Sequence, residues 1–322
     1  MFKPELLSPA GSLKAMRLAF AYGADAVYAG QPRYSLRVRN NEFDLAALEV
    51  GINEAHALGK KLYVVVNIAP HNSKLKSFIA DMAPVVALKP DALIVSDPGV
   101  IYLLKQHFPQ MPLHLSVQAN TVNWAAVKFW QSMGVERVIL SRELSVEEIG
   151  EIRQEVPDMQ LEVFVHGALC MAYSGRCLLS GYINKRDPNQ GACTNACRWP
   201  YQVHQAKEDD VGQFQPISAP ALLEEQGRPG ELMAIDEDIH GTYILNSKDL
   251  RALEHVPALT AMGVHSLKIE GRTKSAYYVA RTAQVYRKAI DDAAAGKAFD
   301  VSLLQELNGM ANRGFTEGFL RR

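Results

Sequence analysis

The stretch EVGINEAHALGKKLYVVVNIAP, residues 49–70, sets a pattern that recurs along the whole chain. Apolar residues recur at helical spacing over residues 45–58, Gly59 follows, and residues 62–66 form a continuous apolar run. A glycine in this place is typical of a left-handed helix C-cap. A short apolar run rich in valine is typical of a strand buried on both faces. The stretch therefore predicts a helix, a tight turn and a buried strand.

The same unit repeats before and after this stretch. Eight short apolar runs are predicted strands, at residues 6–7, 26–29, 62–66, 92–95, 113–117, 137–140, 161–165 and 265–269. Amphipathic helices are predicted at residues 13–22, 45–58, 75–86, 100–108, 124–133, 146–154 and 276–294. Gly23, Gly134 and Gly263 separate helix from strand in the way that Gly59 does. Alternating strands and helices predict an α/β fold of the (β/α)8 TIM-barrel type, with a doubly wound open sheet as the alternative.

Composition indicates an ordinary globular protein. The chain has 322 residues, 48% of them hydrophobic and 21% charged, which excludes a mainly disordered or fibrous chain. With 34 Lys and Arg against 35 Asp and Glu, the formal net charge is −1, so contact with a nucleic acid would need local basic patches. The N-terminus does not resemble a signal peptide, and no long uncharged apolar stretch predicts a membrane span. We expect a cytoplasmic protein.

All four cysteines lie close together in the second half of the chain. They are Cys170, Cys177, Cys193 and Cys197, with the spacing C-x6-C-x15-C-x3-C. Four thiolates are the number that holds a [4Fe–4S] cluster or a structural zinc ion. Zinc ribbons usually carry two C-x2-C pairs, and this sequence has none, so the cluster is favoured and zinc is the alternative. Four buried free thiols are a third interpretation, which crowding in one loop disfavours.

The cysteines fall in an unusually long connection between the seventh and eighth predicted strands. We predict one barrel domain over residues 1–322, with an inserted cluster-binding segment and mobile loop at residues 168–240. The later part of this insertion is polar and contains Pro216, Pro220 and Pro229. Long loops after barrel strands are where such folds carry function.

Several phrases resemble one known family over nearly the whole chain. The longest runs from Glu162 to Cys177 and reads E-x-F-x-H-G-A-L-C-x-x-Y-S-G-x-C. With ELLSPAGS, ADAVYAGQPRYSLR and SLKIEGRTKS, it is similar to the signature of the peptidase U32 family. The phrases YSGRCLLSGYINKRDPNQG and NACRW resemble the tRNA hydroxylation branch of that family.

The resemblance implies an activity and a cofactor. It implies oxygen-independent hydroxylation of the wobble uridine 34 of tRNA to 5-hydroxyuridine, with prephenate as a dicarboxylate co-substrate. It also implies a [4Fe–4S] cluster held by the four cysteines, and the chemistry requires a redox partner of unknown identity. Members of this branch usually continue into a C-terminal β-domain, which we expect to be absent from this chain because the sequence stops at Arg322.

Three alternatives accompany this prediction. One is a U32-family hydroxylase of another substrate, an rRNA base or a ubiquinone precursor. Another is a zinc-stabilised RNA-binding module. The third is a peptidase or collagenase, which we do not expect, because the sequence has neither a Gly-x-Ser-x-Gly elbow nor a His-Glu-x-x-His helix.

Polar residues at the ends of the predicted strands are the candidate catalytic groups, because barrel enzymes carry their sites there. These groups are His166, Lys268, Glu270, Arg142 and Glu143. Lys268 and Glu270 alternate along the last strand and so face the same side, with a structural ion pair as the alternative role. His166 is either a proton donor beside the cluster or a hydrogen-bonded core histidine. Arg142 and Arg272 suit bidentate binding of a dicarboxylate.

Basic, aromatic and amide side chains are the candidate contacts to substrate. Arginines interleaved with aromatic rings can follow phosphates and stack on an unpaired base. The candidates are Arg33, Tyr34, Arg37, Arg39, Asn67, Gln118, Tyr173, Arg176, Lys185, Arg186, Arg198 and Arg272. A solvated loop face is the alternative role for the charged residues, and core packing is the alternative for any single aromatic ring.

Overall fold

The computed structural model describes most of the chain. Described are residues 2–36, 42–170, 172–174, 176–177, 179–180, 187–191, 248–312 and 314–321, with the backbone of six short strands between residues 205 and 242. The chain divides into two compact units. The first contains Met1–Thr194 and Lys248–Arg322, and the second contains Asn195–Ser247.

The first unit is a closed barrel of eight parallel strands. The strands are β1 (Glu5–Pro9), β2 (Ala26–Gly30), β3 (Lys61–Val66), β4 (Ala92–Val95), β5 (Leu113–Leu115), β6 (Arg137–Ile139), β7 (Gln160–Ala168) and β8 (Ser266–Ile269). Neighbours in the sequence pair in parallel, and β8 closes the barrel by pairing with both β7 and β1. The predicted (β/α)8 TIM-barrel fold is therefore confirmed, and the open sheet is excluded.

Helices cover the outside of the barrel. They are α1 (Leu13–Ala21), α2 (Leu45–Ala57), α3 (Asn72–Ala87), α4 (Pro98–His107), α5 (Trp124–Ser132), α6 (Val146–Glu155), α7 (Val256–Met262), α8 (Ala276–Ala294) and α9 (Ser302–Asn308). The glycines predicted to end helices have positive φ, for example 64° at Gly59 and 104° at Gly23. The core lies between the two layers, where Gly51 of α2 faces the buried side chain of Leu62. None of the helices that the structure describes is long and apolar enough to cross a membrane.

Side chains cap the helices that leave the C-terminal end of the barrel. Ser12, Asp97 and Ser275 each accept a hydrogen bond from the backbone three residues later. Ser145 and Glu148 form a reciprocal capping box at the start of α6. These caps satisfy backbone N–H groups that a helix start leaves without partners, and so fix where each loop turns at this end of the barrel.

The last residues of β7 leave the regular barrel register. Lys268 of β8 pairs with Phe164, but Ile269 pairs with His166, so β7 carries one extra residue here. Beyond this shift, residues 166–168 pair antiparallel with a short strand, Asp249–Arg251. Alternation of inward and outward side chains along β7 therefore changes at Val165.

The second unit contains short antiparallel strand pairs in its described backbone. Gln205–Glu208 pairs with Phe214–Ile217, Leu222–Glu224 with Leu232–Ala234, and Glu237–Asp238 with Gly241–Thr242. The polar composition of this segment predicted only loop. The difference arises because backbone pairing in a hairpin needs no apolar run, and such pairs leave little signal in the sequence.

Candidate active site

A cavity of about 100 Å³ opens at the C-terminal end of the barrel in the first unit. Its wall combines aromatic rings, charged groups, amides and thiols. The polar, aromatic and sulfur-bearing lining residues are Tyr28, Asn67, Ser116, Gln118, Arg142, Phe164, Cys170, Ser174, Cys177, Asn189, Lys268, Glu270 and Arg272. This is the end of a barrel at which enzymes of this fold carry their sites.

Lys268 lies on the floor of the cavity and is held from below. Its Nζ donates to Glu162 Oε1 at 2.8 Å, and the side chains of both residues are at most 4% exposed. Burial lowers the pKa of Lys268, and the Glu162 carboxylate opposes that effect. The ion pair that sequence analysis kept as an alternative is therefore present, but its partner is Glu162 rather than Glu270.

Cations and aromatic rings alternate across the floor. Lys268 Nζ lies 4.5 Å from the ring centroid of Tyr28 and 5.3 Å from that of Phe164. The guanidinium carbon of Arg142 lies 4.5 Å from the Phe164 ring centroid, and that of Arg272 lies 5.8 Å from the Tyr28 ring centroid. These distances are within the range of cation–π attraction, which holds positive charge in place without neutralising it. The floor can therefore attract an anion.

Glu270 is the carboxylate that lines the cavity. Tyr28 Oη donates to Glu270 Oε2 at 3.2 Å and to the carbonyl of Ile269 at 2.8 Å. Burial, reinforced by the Glu270 charge, raises the pKa of Tyr28 well above its ordinary value, so the phenol stays protonated. Gly167, at φ 105°, permits the backbone of β7 to approach Glu270, since a Cβ there would lie 2.5 Å from the Glu270 carbonyl oxygen.

Arg142 has one satisfied and one unsatisfied donor. Its Nη1 donates to the carbonyl of Ala168 at 2.7 Å. Its Nε is buried and has no acceptor among the residues that the structure describes. A buried donor without an acceptor is costly, so this N–H is suited to a ligand that brings an oxygen into the cavity.

Amides and a hydroxyl form the opposite wall. Asn67 Nδ2 donates to Gln118 Oε1 at 2.9 Å and to Ser116 Oγ at 3.4 Å. The Ser116 hydroxyl also contacts Gln118 Oε1. Asn67 and Gln118, predicted as substrate contacts, therefore lie side by side in the cavity wall.

Two of the four cysteines also line this cavity. Cys170 and Cys177 are free thiols. The Asn189 side chain donates to the Cys177 carbonyl at 3.1 Å, and the Asn189 carbonyl accepts from the backbone of Ala69 at 2.9 Å. The segment is thus tied to the loop after β3. Two thiols in one wall fit two ligands of a shared group; no set of three His, Cys, Asp or Glu side chains suited to a metal occurs in the described part of the chain.

His166 lies outside the cavity lining. It is 2% exposed, and its ring packs against Tyr278 and Tyr286 of α8 and against Phe315. Its Nδ1 lies 3.4 Å from the Tyr286 hydroxyl. Burial, with smaller contributions from Lys274 and Arg251, lowers the pKa of His166 to about 3. Of the two roles predicted for His166, the core histidine fits these surroundings.

The predicted rim residues divide into exposed and buried groups. Tyr34 is fully buried, and its hydroxyl donates to Asp81 at 2.5 Å, so the prediction that its ring stacks on a base is wrong. Arg33 also pairs with Asp81, at 2.6 Å. Tyr173 is 58% exposed next to the exposed Arg176, so both can reach a large ligand. Glu143 contacts the Ser141 hydroxyl and is not among the cavity-lining residues that the structure describes.

The remaining predicted site residues lie outside the described residues. They are Arg37, Arg39, Lys185, Arg186, Cys193, Arg198 and Cys197. Their predicted roles stay predictions.

Sequence reasoning missed the network beneath the cavity. Arg137 Nη1 lies 2.6 Å from Glu5 Oε1 and 3.2 Å from Glu162 Oε2. Glu5 also accepts from the Tyr63 hydroxyl at 2.7 Å and from the Ser266 hydroxyl at 3.0 Å. Burial acts to raise the pKa of Glu5, but Arg137, with smaller contributions from Tyr63 and Lys61, lowers it overall. The sequence did carry one signal of this network, because Glu5, Arg137 and Glu162 each lie within or beside a predicted apolar strand.

Comparison with known proteins gives consistent matches. A family model described as Peptidase family U32 matches residues 11–322. The tRNA hydroxylation protein P of Escherichia coli is 73% identical over 341 residues, covering 100% of this chain and 75% of that protein. The protein of the same name from Haemophilus influenzae is 68% identical, again covering 100% and 75%. A solved structure of the U32 peptidase Mk0906 has a TM-score of 0.50 at 12% identity, covering 84% of this chain and 94% of that one, which shows a similar fold.

Proposed function

Since the chain belongs to the peptidase U32 family, we propose that it is a tRNA hydroxylase that converts wobble uridine 34 to 5-hydroxyuridine without molecular oxygen. Two relatives that match the whole chain carry the name tRNA hydroxylation protein P. The observation that carries the proposal is the cavity at the C-terminal end of the barrel. It brings cations, amides and two cysteines together around one space.

The cavity suits a base that has left its stack. Enzymes that act on a base take it into a pocket and contact its edge and faces. Here Gln118 offers an amide group to the edge, Asn67 holds that amide in place, and the flat guanidinium of Arg142 offers a face. Outside the cavity, the exposed Tyr173 and Arg176 offer a ring and a charge to the neighbouring nucleotides.

The same cavity suits an anionic co-substrate, which in this proposal is prephenate. Arg142 and Arg272 can each bind a carboxylate, whereas the charge of Lys268 is already paired with Glu162. Replacing C5–H by C5–OH is a two-electron oxidation. The hydroxyl group leaves C4 of the prephenate ring as that ring loses carbon dioxide and becomes aromatic, and the same oxygen forms the new bond to C5. The two electrons removed from the uracil pass to the redox partner, a two-electron acceptor. The Glu270 carboxylate is placed to take the proton that leaves C5.

A [4Fe–4S] cluster is part of the proposal. Cys170, Cys177, Cys193 and Cys197 would hold it, and when bound it would supply one-electron transfer or Lewis-acid activation. Zinc at the same thiols is the alternative. Reduced thiols agree with a cytoplasmic location, where tRNA is also found.

The test is an anaerobic assay of the purified chain. Iron and acid-labile sulfide are measured after reconstitution, and we expect about four of each per chain. Unmodified tRNA, prephenate and a soluble two-electron acceptor are then added, and the nucleosides are analysed by mass spectrometry. We expect 5-hydroxyuridine that depends on prephenate and is lost in Cys177→Ala together with the iron. One zinc per chain without sulfide, or an intact cluster without product, would overturn the proposal.

The peptidase alternative gains no support from the described residues. A serine nucleophile would need a nearby base, but the His166 ring faces Tyr286 outside the cavity lining, and burial lowers its pKa to about 3, which makes it a weak base. Cleavage of gelatin by both the wild type and Cys177→Ala would revive it.

A further inference from the structure

The orientation of the Asn67 side chain is fixed by a backbone group. The N–H of Leu36 donates to Asn67 Oδ1 at 3.2 Å. A backbone N–H can only donate, so the amide oxygen of Asn67 must face Leu36. The amide nitrogen then faces the other way, where it donates to Gln118 Oε1 at 2.9 Å and to Ser116 Oγ at 3.4 Å.

The orientation of Gln118 follows from that of Asn67. Its Oε1 accepts from Asn67 Nδ2 and contacts the Ser116 hydroxyl. This oxygen therefore points towards the wall residues and is occupied by them. The amide nitrogen of Gln118 remains, and none of the described residues accepts a hydrogen bond from it. Gln118 lines the cavity and also a second one that shares Leu36, Asn67 and Asn189 with it. The cavity therefore meets Gln118 as a donor of hydrogen bonds and not as an acceptor.

We infer that Gln118 selects the base: its amide nitrogen donates to the exocyclic carbonyl oxygen O4 of uracil and rejects the amino group that cytosine carries at that position. This inference rests on the proposed function, because it concerns the base that enters the same cavity. Uracil presents an acceptor where cytosine presents a donor. Two donors facing each other leave both without an acceptor, and a site built for a hydrogen bond discriminates strongly against a ligand that cannot make it.

Asn67 is the positioning residue in this arrangement, and changing it should invert the selection. In Asn67→Asp, Leu36 still donates to one carboxylate oxygen, but the other oxygen now requires a donor from Gln118. The Gln118 amide must turn over, which presents its oxygen to the cavity. The cavity then accepts from the cytosine amino group and meets uracil O4 with an oxygen. The change is isosteric and leaves every residue that carries positive charge in place.

The experiment compares two tRNAs that differ only in uridine or cytidine at position 34. Initial rates of 5-hydroxyuridine and 5-hydroxycytidine formation are measured by mass spectrometry for the wild type and for Asn67→Asp. We expect the uridine-to-cytidine rate ratio to fall by about tenfold or more in Asn67→Asp. Gln118→Glu, which presents only acceptors to the cavity, is the second variant and should lower the ratio in the same direction if Asn67→Asp does not fold.

The control separates this effect from added negative charge. Gln131 is exposed on α5, outside the cavity, so Gln131→Glu adds the same charge and should keep the wild-type ratio. An unchanged ratio in Asn67→Asp and Gln118→Glu, with hydroxylation continuing, would overturn the inference but leave the proposed function standing. Absence of any 5-hydroxyuridine from the wild type with a complete cluster would overturn both.

Discussion

The two ends of the barrel interior both carry buried charged side chains, but the ends satisfy them differently. At the N-terminal end, Arg137 meets two carboxylates, Glu5 and Glu162; hydroxyl groups also donate to Glu5, and Lys268 donates to the other oxygen of Glu162. At the C-terminal end, Arg142 lies over an aromatic ring, and its Nε has no acceptor within the described residues. In the first arrangement, protein groups pair with the charged side chains without a ligand. In the second, one buried donor is left to which a ligand could bind.

This difference indicates that the N-terminal end stabilises the fold and that the C-terminal end binds a ligand. A complete network of buried charges is strongly destabilised when one member is removed, because the others lose their partner. A donor kept without an acceptor, in contrast, lowers stability and is retained where a ligand satisfies it. Lys268 connects the two ends, since it pairs with Glu162 below and lines the cavity above.

The largest expected effect on stability is at the N-terminal end. Arg137→Met leaves Glu5 and Glu162 buried with one cationic partner fewer, and we expect the free energy of unfolding to fall by about 3–5 kcal/mol. Urea denaturation followed by circular dichroism measures this. Arg17→Met, which removes an exposed pair with Glu54, is the matched control and should not change the midpoint measurably. Equal effects of the two substitutions would remove the distinction between buried network and surface pair.

At the C-terminal end, the expected effect is on activity rather than stability. Arg142→Met removes a positive charge and the unsatisfied Nε donor, so hydroxylation of tRNA should fall about 100-fold, while the free energy of unfolding changes by about 1 kcal/mol or less. Rates from product analysis and denaturation midpoints are measured on the same preparation. Arg142→Lys keeps the charge and should recover part of the rate. A variant with wild-type activity would show that the ligand does not use this donor.

His166 predicts a pH dependence that belongs to the scaffold. Its pKa is about 3 in the folded protein and near 6.5 when unfolded, so the unfolded state binds the extra proton between these values. Stability is therefore full above pH 6.5 and is lost as pH falls, by about 2 kcal/mol at pH 5 from this residue alone. The slope of unfolding free energy against pH reports how many more protons the unfolded state binds than the folded state. Between pH 5 and 6, His166→Gln should lower this number by up to one. An unchanged slope would mean that His166 is protonated in the fold.

The smallest effect is expected at Gly30, where space rather than backbone conformation requires glycine. A methyl group there would overlap the guanidinium of Arg272 and the hydroxyl of Ser35. The end of the Arg272 side chain can move aside, so Gly30→Ala should fold but lose roughly tenfold in hydroxylation rate at low prephenate concentration. The equivalent change at Gly59, where a Cβ meets nothing within 4 Å, should affect stability but not the rate. A rate unaffected by Gly30→Ala would place Arg272 outside the binding machinery.

Much of the fold was predictable because it depends on periodicity. The predicted helix at residues 276–294 and strand at residues 92–95 coincide with the observed elements. Gly263 indicated a helix before it, but the bounds of α7 could not be predicted, because this helix has only seven residues and a proline in its first turn, too little for a periodic signal. The short strand Asp249–Arg251 was missed because its pairing with β7 is antiparallel and arises only after the long insertion.

The site was predictable as a set of strand ends but not as a set of side-chain directions. Lys268 and Glu270 alternate as expected and reach one cavity. His166 does not, because the register shift in β7 turns it towards α8, and nothing in the local sequence marks the extra residue. Tyr34 was misassigned because aromatic residues between arginines suggest a surface, whereas Asp81 and Phe78 of α3 bury this ring.

Cross-linking tests the central claim, that the tRNA base enters the C-terminal end of the barrel, most directly. A tRNA with 4-thiouridine at position 34 is bound to the wild-type chain, irradiated and digested, and the cross-linked peptides are identified by mass spectrometry. The account predicts cross-links to residues that line the cavity, such as Gln118, Arg142 or Phe164. Cross-links confined to the outer faces of the helices would contradict it.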